Sequence, residues 1–199
     1  MELAREAPCP DADVIIPVPD GGVPSAIGFA QESGVPFELG IIRNHYVGRT
    51  FIQPGQKIRN LGVLLKHNAN RPIIEGKNVV LVDDSIVRGT TSRKIVEMVR
   101  AAGAKSVHMR VSSPPTKYPC FYGIDTPSYE ELLAHNTDVN GIAMQIGVDS
   151  LAYVSLDGLY RAMNLPQGRD AKAPAYCDAC FSGDYPVELV DQDIKAGCK

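Results

Sequence analysis

Hydrophobic positions in this chain fall into short, separated runs. Val14-Ile15-Ile16, Phe37 to Ile42, Val79-Val80-Leu81-Val82, Ser106 to Val111 and Leu151 to Val154 are each only a few residues long and mostly rich in β-branched or aromatic residues, so each predicts a strand. Val79–Val82 has no polar position at all, which predicts a strand buried on both faces, as in a parallel sheet. Ser106–Val111 alternates, leaving His108 to face solvent or fill a strand surface. The intervening stretches carry the helical period. One helix is predicted from Pro24-Ser25 to Gly34. Another follows Thr91, with Ile95, Met98, Val99 and Ala102 on one face and Gly103 as its stop. Shorter helices are predicted at 130–134, 139–146 and 156–163. Leu61, Leu64 and Leu65 suggest a short amphipathic helix, or a helix-to-strand transition, over Asn60–Asn68, with His67 on its surface. Strands alternating with helices predict an open, mostly parallel α/β sheet flanked by helices.

Ligands of such sheets bind beyond the carboxyl ends of the strands. Two turns there carry chemistry. The first is Pro17-Val18-Pro19-Asp20-Gly21-Gly22, in which prolines fix the chain and glycines permit close backbone approach to a ligand. The second is Asp83-Asp84-Ser85-Ile86-Val87-Arg88-Gly89-Thr90-Thr91, at the end of the most apolar strand. Two carboxylates there can hold Mg²⁺ or accept hydrogen bonds from sugar hydroxyls. The hydroxyl-rich turn and the following helix N-terminus suit a phosphate. Between the two turns, Arg43 to Lys57 is basic, contains aromatics and glycines, and has no clear period. That mixture suits a lid over a polyanionic substrate.

The remaining features narrow the class. The 199 residues suit one ordinary domain, expected over 14–163, after a helix-and-linker segment at 1–13 and before a polar tail at 164–199. The chain opens inside a helix-like segment, which suggests a preceding region in a longer protein. A net charge of −3 and no Lys/Arg run argue against nucleic acid, and no apolar run reaches membrane-spanning length. Without an export pattern a cytoplasmic location is expected, and five cysteines make an odd set unsuited to a disulfide framework. Cys9 reads as incidental. In the tail, Cys177-Asp178-Ala179-Cys180 leaves zinc, iron–sulfur, redox and plain packing roles open.

The Asp83–Ser92 wording resembles the phosphoribosyl-diphosphate (PRPP) motif of type I phosphoribosyltransferases, in the form found in amidophosphoribosyltransferases. Tyr46-Val47-Gly48-Arg49-Thr50-Phe51-Ile52 resembles that family's flexible loop, and Cys120-Phe121-Tyr122-Gly123-Ile124-Asp125 another of its segments. The resemblance implies a type I phosphoribosyltransferase-like fold and the first step of purine synthesis, in which PRPP and ammonia give 5-phosphoribosylamine and pyrophosphate. It implies PRPP binding by Asp20, Gly21, Gly22, Asp83, Asp84, Ser85, Arg88, Gly89, Thr90 and Thr91. Tyr46 and Arg49 would be catalytic lid residues, and Asp83 and Asp84 would take Mg²⁺. Relatives often carry Ser where Gly21 stands, so one side-chain hydroxyl is missing beside the metal. Some relatives bind a structural [4Fe–4S] cluster, and Cys120, Cys177 and Cys180 match three of its ligands. The fourth lies in a region preceding residue 1, so an incomplete site is expected. The ammonia-producing glutaminase domain of such enzymes is likewise expected to be missing, and the parent is expected to be a homo-oligomer. Two alternatives stand beside this: another nucleobase phosphoribosyltransferase, or a non-catalytic PRPP-binding fragment or regulator.

Overall fold

The computed structural model of the chain describes residues 1–44, 67–124, 126 and 128–189. The first elements are helix α1 (Glu2–Glu6), strand β1 (Val14–Pro17) and helix α2 (Val23–Ser33), which Gly34 closes in the left-handed conformation. Strands β2 (Ile41–Arg43) and β3 (His67–Ala69) follow, then a single helical turn α3 (Arg71–Ile74). Strand β4 (Asn78–Asp83), helix α4 (Thr90–Ala101) and strand β5 (Ser106–Val111) form the central unit. After a 3₁₀ turn at Tyr129–Glu131 come helices α5 (Leu133–Asn136) and α6 (Val139–Ile146). Strand β6 (Ser150–Tyr153) and helices α7 (Leu156–Ala162) and α8 (Ala179–Ser182) complete the described residues.

Strands β1, β4, β5 and β6 form a parallel sheet in the order β1-β4-β5-β6. The apolar run of β4 explains its central place. Val79 and Leu81 face one core with Ile95, Val96 and Val99 of α4, while Val80 and Val82 face the other with Ala26, Phe29 and Ala30 of α2. All four side chains are fully buried. Such a strand needs cover on both sides, and the two helices supply it. Beyond β1, Phe37 bridges to Ile15 in parallel. The chain therefore leaves β1 toward one edge and returns to β4 on the other side of β1. The carboxyl ends of β1 and β4 flank a reversal of strand order, where open α/β sheets place their ligands.

Two expected elements come out differently. The strand expected over Phe37–Ile42 divides: Phe37 stays beside β1, while Ile41–Arg43 turns away to pair antiparallel with His67–Ala69. Gly40 sits at the division, where a Cβ would come within 2.4 Å of the Ile16 side chain. Of Asn60–Asn68, read as a short helix or a helix-to-strand transition, His67 and Asn68 lie in strand β3, and His67 is buried opposite Arg43 rather than on a surface; residues 60–66 lie outside the described residues. Cys9, expected to be incidental, packs into the α2-side core. His108 keeps its strand position, with its ring nitrogens 3.0 and 2.8 Å from the hydroxyls of Ser106 and Ser150.

The polar tail is anchored by one buried ion pair. Arg169 donates to Asp178 at 2.6 and 3.2 Å and to Asp184 at 2.7 Å, while the Tyr160 and Ser182 hydroxyls also donate to Asp178 at 2.7 Å. Burial alone would raise the Asp178 carboxyl, but donors from Arg169, Tyr160 and Ser182 more than offset it and hold it below its ordinary value. Removing one partner of such a pair strands the other charge. Arg169→Met is expected to cost about 3 kcal/mol in chemical unfolding. A loss indistinguishable from that of an exposed Arg substitution would show that the tail is not held this way.

Candidate functional site

The turn after β1 is joined to β4 by main-chain bonds. The Val18 N–H donates to the Val82 carbonyl at 2.8 Å, and the Gly22 N–H donates to the Val18 carbonyl at 3.0 Å. The Pro19–Asp20 peptide is cis. Close neighbours crowd both glycines, a side chain at Gly21 and main chain at Gly22. A Cβ on Gly21 would stand 1.9 Å from Oδ2 of Asp84, and one on Gly22 would stand 2.2 Å from the Val82 carbonyl oxygen. The space a serine would need at position 21 is thus taken up by Asp84 itself. Asp20 forms an ion pair with Arg43 of β2, tying the turn to the antiparallel ribbon.

At the end of β4 the two carboxylates have different surroundings. Asp83 is 7 % exposed, whereas Asp84 is open to solvent. The Asp84 N–H donates to Oδ1 of Asp83 at 2.8 Å. Burial first, and the adjacent Asp84 charge second, push the Asp83 carboxyl up to about 8. The Ser112 N–H and hydroxyl, 2.9 and 3.2 Å away, both donate to the Asp83 carbonyl oxygen and so fix the strand end. Beyond it, Ile86 is buried and Val87 accepts from the Leu133 N–H at 2.9 Å, which pins the loop to α5. Gly89 then turns the chain at φ 71°, where a Cβ would also meet Leu133 at 2.5 Å. Helix α4 starts at once with exposed Thr90 and Thr91, and no side chain caps its N-terminus. Its first N–H groups therefore lack a side-chain acceptor, an arrangement suited to an anion. Exposed Arg88 pairs with Glu131 at 3.1 Å.

Asp20–Gly22 and Asp83–Thr91, read from sequence as separate signals, thus meet at one rim, with Gly21 against Asp84. Ser85 is exposed there, its hydroxyl 3.4 Å from Asp84. Of the lid expected over Arg43–Lys57, Arg43 lies in β2, while His45 to Lys57, with Tyr46 and Arg49, lie outside the described residues. Sequence reasoning missed two neighbours, Glu131 and Tyr153, and read Arg43 only as the start of the lid. Tyr153 is aligned through Val111 with Asp83 across three strands, and its buried hydroxyl meets no hydrogen-bond partner among the described residues. Burial and the Asp83 charge push its phenol above the ordinary tyrosine range. Only strand register could have revealed it, because some seventy residues separate it from Asp83.

Away from the rim, the segment carrying Cys120 is bonded to the one carrying Cys177 and Cys180. The N–H groups of Lys117 and Tyr118 donate to the Cys180 carbonyl at 3.0 and 3.1 Å, and the Tyr185 hydroxyl donates to the Pro119 carbonyl at 2.7 Å. Burial pushes the Cys180 thiol up, with smaller contributions from Cys120 and Cys177. Among the described residues, however, no group of three or more His, Cys, Asp or Glu side chains is arranged to hold a metal ion.

The profile of the phosphoribosyl transferase domain matches residues 10–116, which span both turns of the rim. The chain belongs to the phosphoribosyl transferase domain family. It is 61 % identical over 194 residues to an amidophosphoribosyltransferase of Rhizobium etli, covering 97 % of this chain and 39 % of that protein. It is 50 % identical over 192 residues to an amidophosphoribosyltransferase of Bacillus subtilis, covering 96 % of this chain and 40 % of the relative. The chain thus spans well under half the length of these relatives. Among solved structures it resembles the glutamine PRPP amidotransferase from B. subtilis complexed with ADP and GMP. That similarity has a TM-score of 0.83 at 50 % identity, over 96 % of this chain and 41 % of the other. This phosphoribosyltransferase domain therefore has its rim within the family's matched region and a fold shared with a solved relative.

The geometry separates two glycine substitutions. Gly22→Ala sets a Cβ against main-chain carbonyls that cannot yield, and is expected to cost about 2 kcal/mol in denaturant unfolding. Gly21→Ala meets only the end of an exposed side chain, so a loss under about 1 kcal/mol is expected, with Asp84 displaced. Equal losses at the two positions would show that the turn does not sit against β4 in this way. The Asp83 carboxyl adds a pH signature. Its folded value lies above its unfolded one, so the native state binds the extra proton, and stability is lost as pH rises from about 4 to about 8. In metal-free buffer, Asp83→Asn is expected to raise the melting temperature relative to the parent by a margin that widens from pH 5 to pH 8. A margin independent of pH would contradict the buried carboxyl.

Proposed function

We propose that this domain binds PRPP at the rim formed by the β1–α2 turn and the β4–α4 loop, and transfers its phosphoribosyl group to ammonia. The products are 5-phosphoribosylamine and pyrophosphate. The observation that carries the reading is the contact of Gly21 with Asp84, which brings a glycine turn, two carboxylates and an uncapped helix N-terminus to one place. The names of the similar proteins agree with it, and the 50–61 % identity supports carrying the reading over.

In this reading each part of PRPP meets a matching group. The 5′-phosphate lies in the Ser85–Thr91 loop, taking N–H donors at the start of α4 and drawing on the cation of Arg88. The ribose hydroxyls donate to Asp83 and Asp84. The pyrophosphate lies over Asp20–Gly22, where Gly21 and Gly22 let the backbone approach. Tyr46 and Arg49 belong to the lid, Arg49 neutralising the leaving group and the closed loop excluding water. Carboxylates near the anomeric carbon stabilise the positive charge that develops there.

A divalent cation fits Asp83 and Asp84. Burial and mutual repulsion hold the Asp83 carboxyl in its proton-bound form, and a cation would relieve both. When bound, Mg²⁺ would supply charge neutralisation for the pyrophosphate. The iron–sulfur reading of Cys120, Cys177 and Cys180 has less support, because the three thiols are near one another without forming a metal-holding group among the described residues.

The test uses the chain with PRPP, Mg²⁺ and ammonium. Pyrophosphate release above background is expected, together with PRPP binding by calorimetry. Asp84→Ala should lower PRPP affinity at least tenfold, roughly the loss of one charge-assisted contact. Binding without turnover would reduce the reading to a PRPP-binding domain, and no binding at all would sink it.

A further inference from the structure

We propose that Tyr153 is a positioning residue of the rim, its hydroxyl donating a hydrogen bond to the Asp83 carboxylate when ligand is bound. The inference rests on the PRPP reading and extends it to a residue in the last strand of the sheet.

Register comes first. Asp83 pairs with Val111, and Val111 pairs with Tyr153, so the three lie in line across β4, β5 and β6. In-register side chains of a parallel sheet share a face. That face is independently marked: Val111 belongs to the α4-side core and Tyr153 packs against the same cluster, whereas Val82 and Val154 belong to the opposite core. Val111 is the only side chain between Asp83 and Tyr153 in this row, and it is short. The Asp83 charge reaches the phenol across it.

Donor supply comes second. A buried phenol normally finds an acceptor, yet among the described residues the Tyr153 hydroxyl has none. An ionised carboxylate has room for several donors. Asp83 receives one, the Asp84 N–H, while the Ser112 hydroxyl is engaged by the Asp83 carbonyl oxygen instead. The carboxylate side chain of Asp84 adds no donor to it. With ligand at the rim, Tyr153 is a neutral donor in the same row, able to hold the Asp83 carboxylate toward the rim.

The test is Tyr153→Phe in the full chain, which removes one oxygen and keeps the packing. Its melting temperature without ligand is expected to stay within about 2 °C of the parent, because the hydroxyl makes no bond to lose in that state. With PRPP, Mg²⁺ and ammonium, KM for PRPP is expected to rise about tenfold while kcat changes less than about twofold, the pattern of lost ground-state binding. An unchanged KM would overturn the proposal, and a lowered melting temperature with unchanged KM would mark the hydroxyl as structural. A parent chain that fails to bind PRPP would defeat the functional reading, and this inference with it. A parent that binds while the variant binds equally well defeats this inference alone.

Discussion

A carboxylate at the end of a fully buried strand sets the terms for everything around it. β4 is apolar on both faces because helices cover both faces, and that cover follows the strand to its last residue. Asp83 is therefore carried into a poorly solvated place by the same packing that stabilises the sheet. Its neighbours reduce the penalty without removing it: one N–H from Asp84 helps, and the Asp84 charge hinders. The strand end is thus a poor place for a bare carboxylate and a good one for a carboxylate that acquires a cation or hydroxyl donors. The energetic tension lies at the site rather than in the core.

That constraint also accounts for the neighbouring backbone. The β1–α2 turn must pass close to the end of β4 for its N–H groups to face the same space. Gly22 permits this against the Val82 carbonyl, and Gly21 permits it against Asp84. The missing serine hydroxyl inferred at position 21 is better understood as a steric matter, since Asp84 fills the volume that a side chain would take.

Much of this was legible in the sequence, and the legible parts share a physical cause. Uniform apolarity at Val79–Val82 specifies a central strand because only burial on two faces tolerates it. Glycine, proline and paired carboxylates mark turns because few other residues fit those backbone or charge demands. The failures have causes as well. Phe37–Ile42 reads as one strand by composition, but Gly40 packs against Ile16 and the chain divides there. His67 looks like a surface residue beside Arg59 and Lys66, yet pairing with Arg43 buries it. Such pairings join residues distant in sequence, and no local period reports them. Glu131 and Tyr153 were hidden for the same reason.

The polar segment after Asn164 shows how a composition can mislead about order. Its residues lack the apolar content of a core element, but one buried arginine holds two carboxylates and so organises the region around Asp178. Cys177 and Cys180 flank that aspartate, and their segment is bonded through the Cys180 carbonyl to the one bearing Cys120. An ion pair and main-chain bonds thus already hold the segments that bear these thiols together. A region stabilised in this way can keep its cysteines near one another whether or not they share a ligand, which separates the order of the segment from the identity of what it binds. The same separation holds at the rim. There hydrophobic packing and main-chain bonds from Ser112 and Leu133 place Asp83, Asp84 and the start of α4, and the chemistry of the site draws on positions that the fold has already paid to hold.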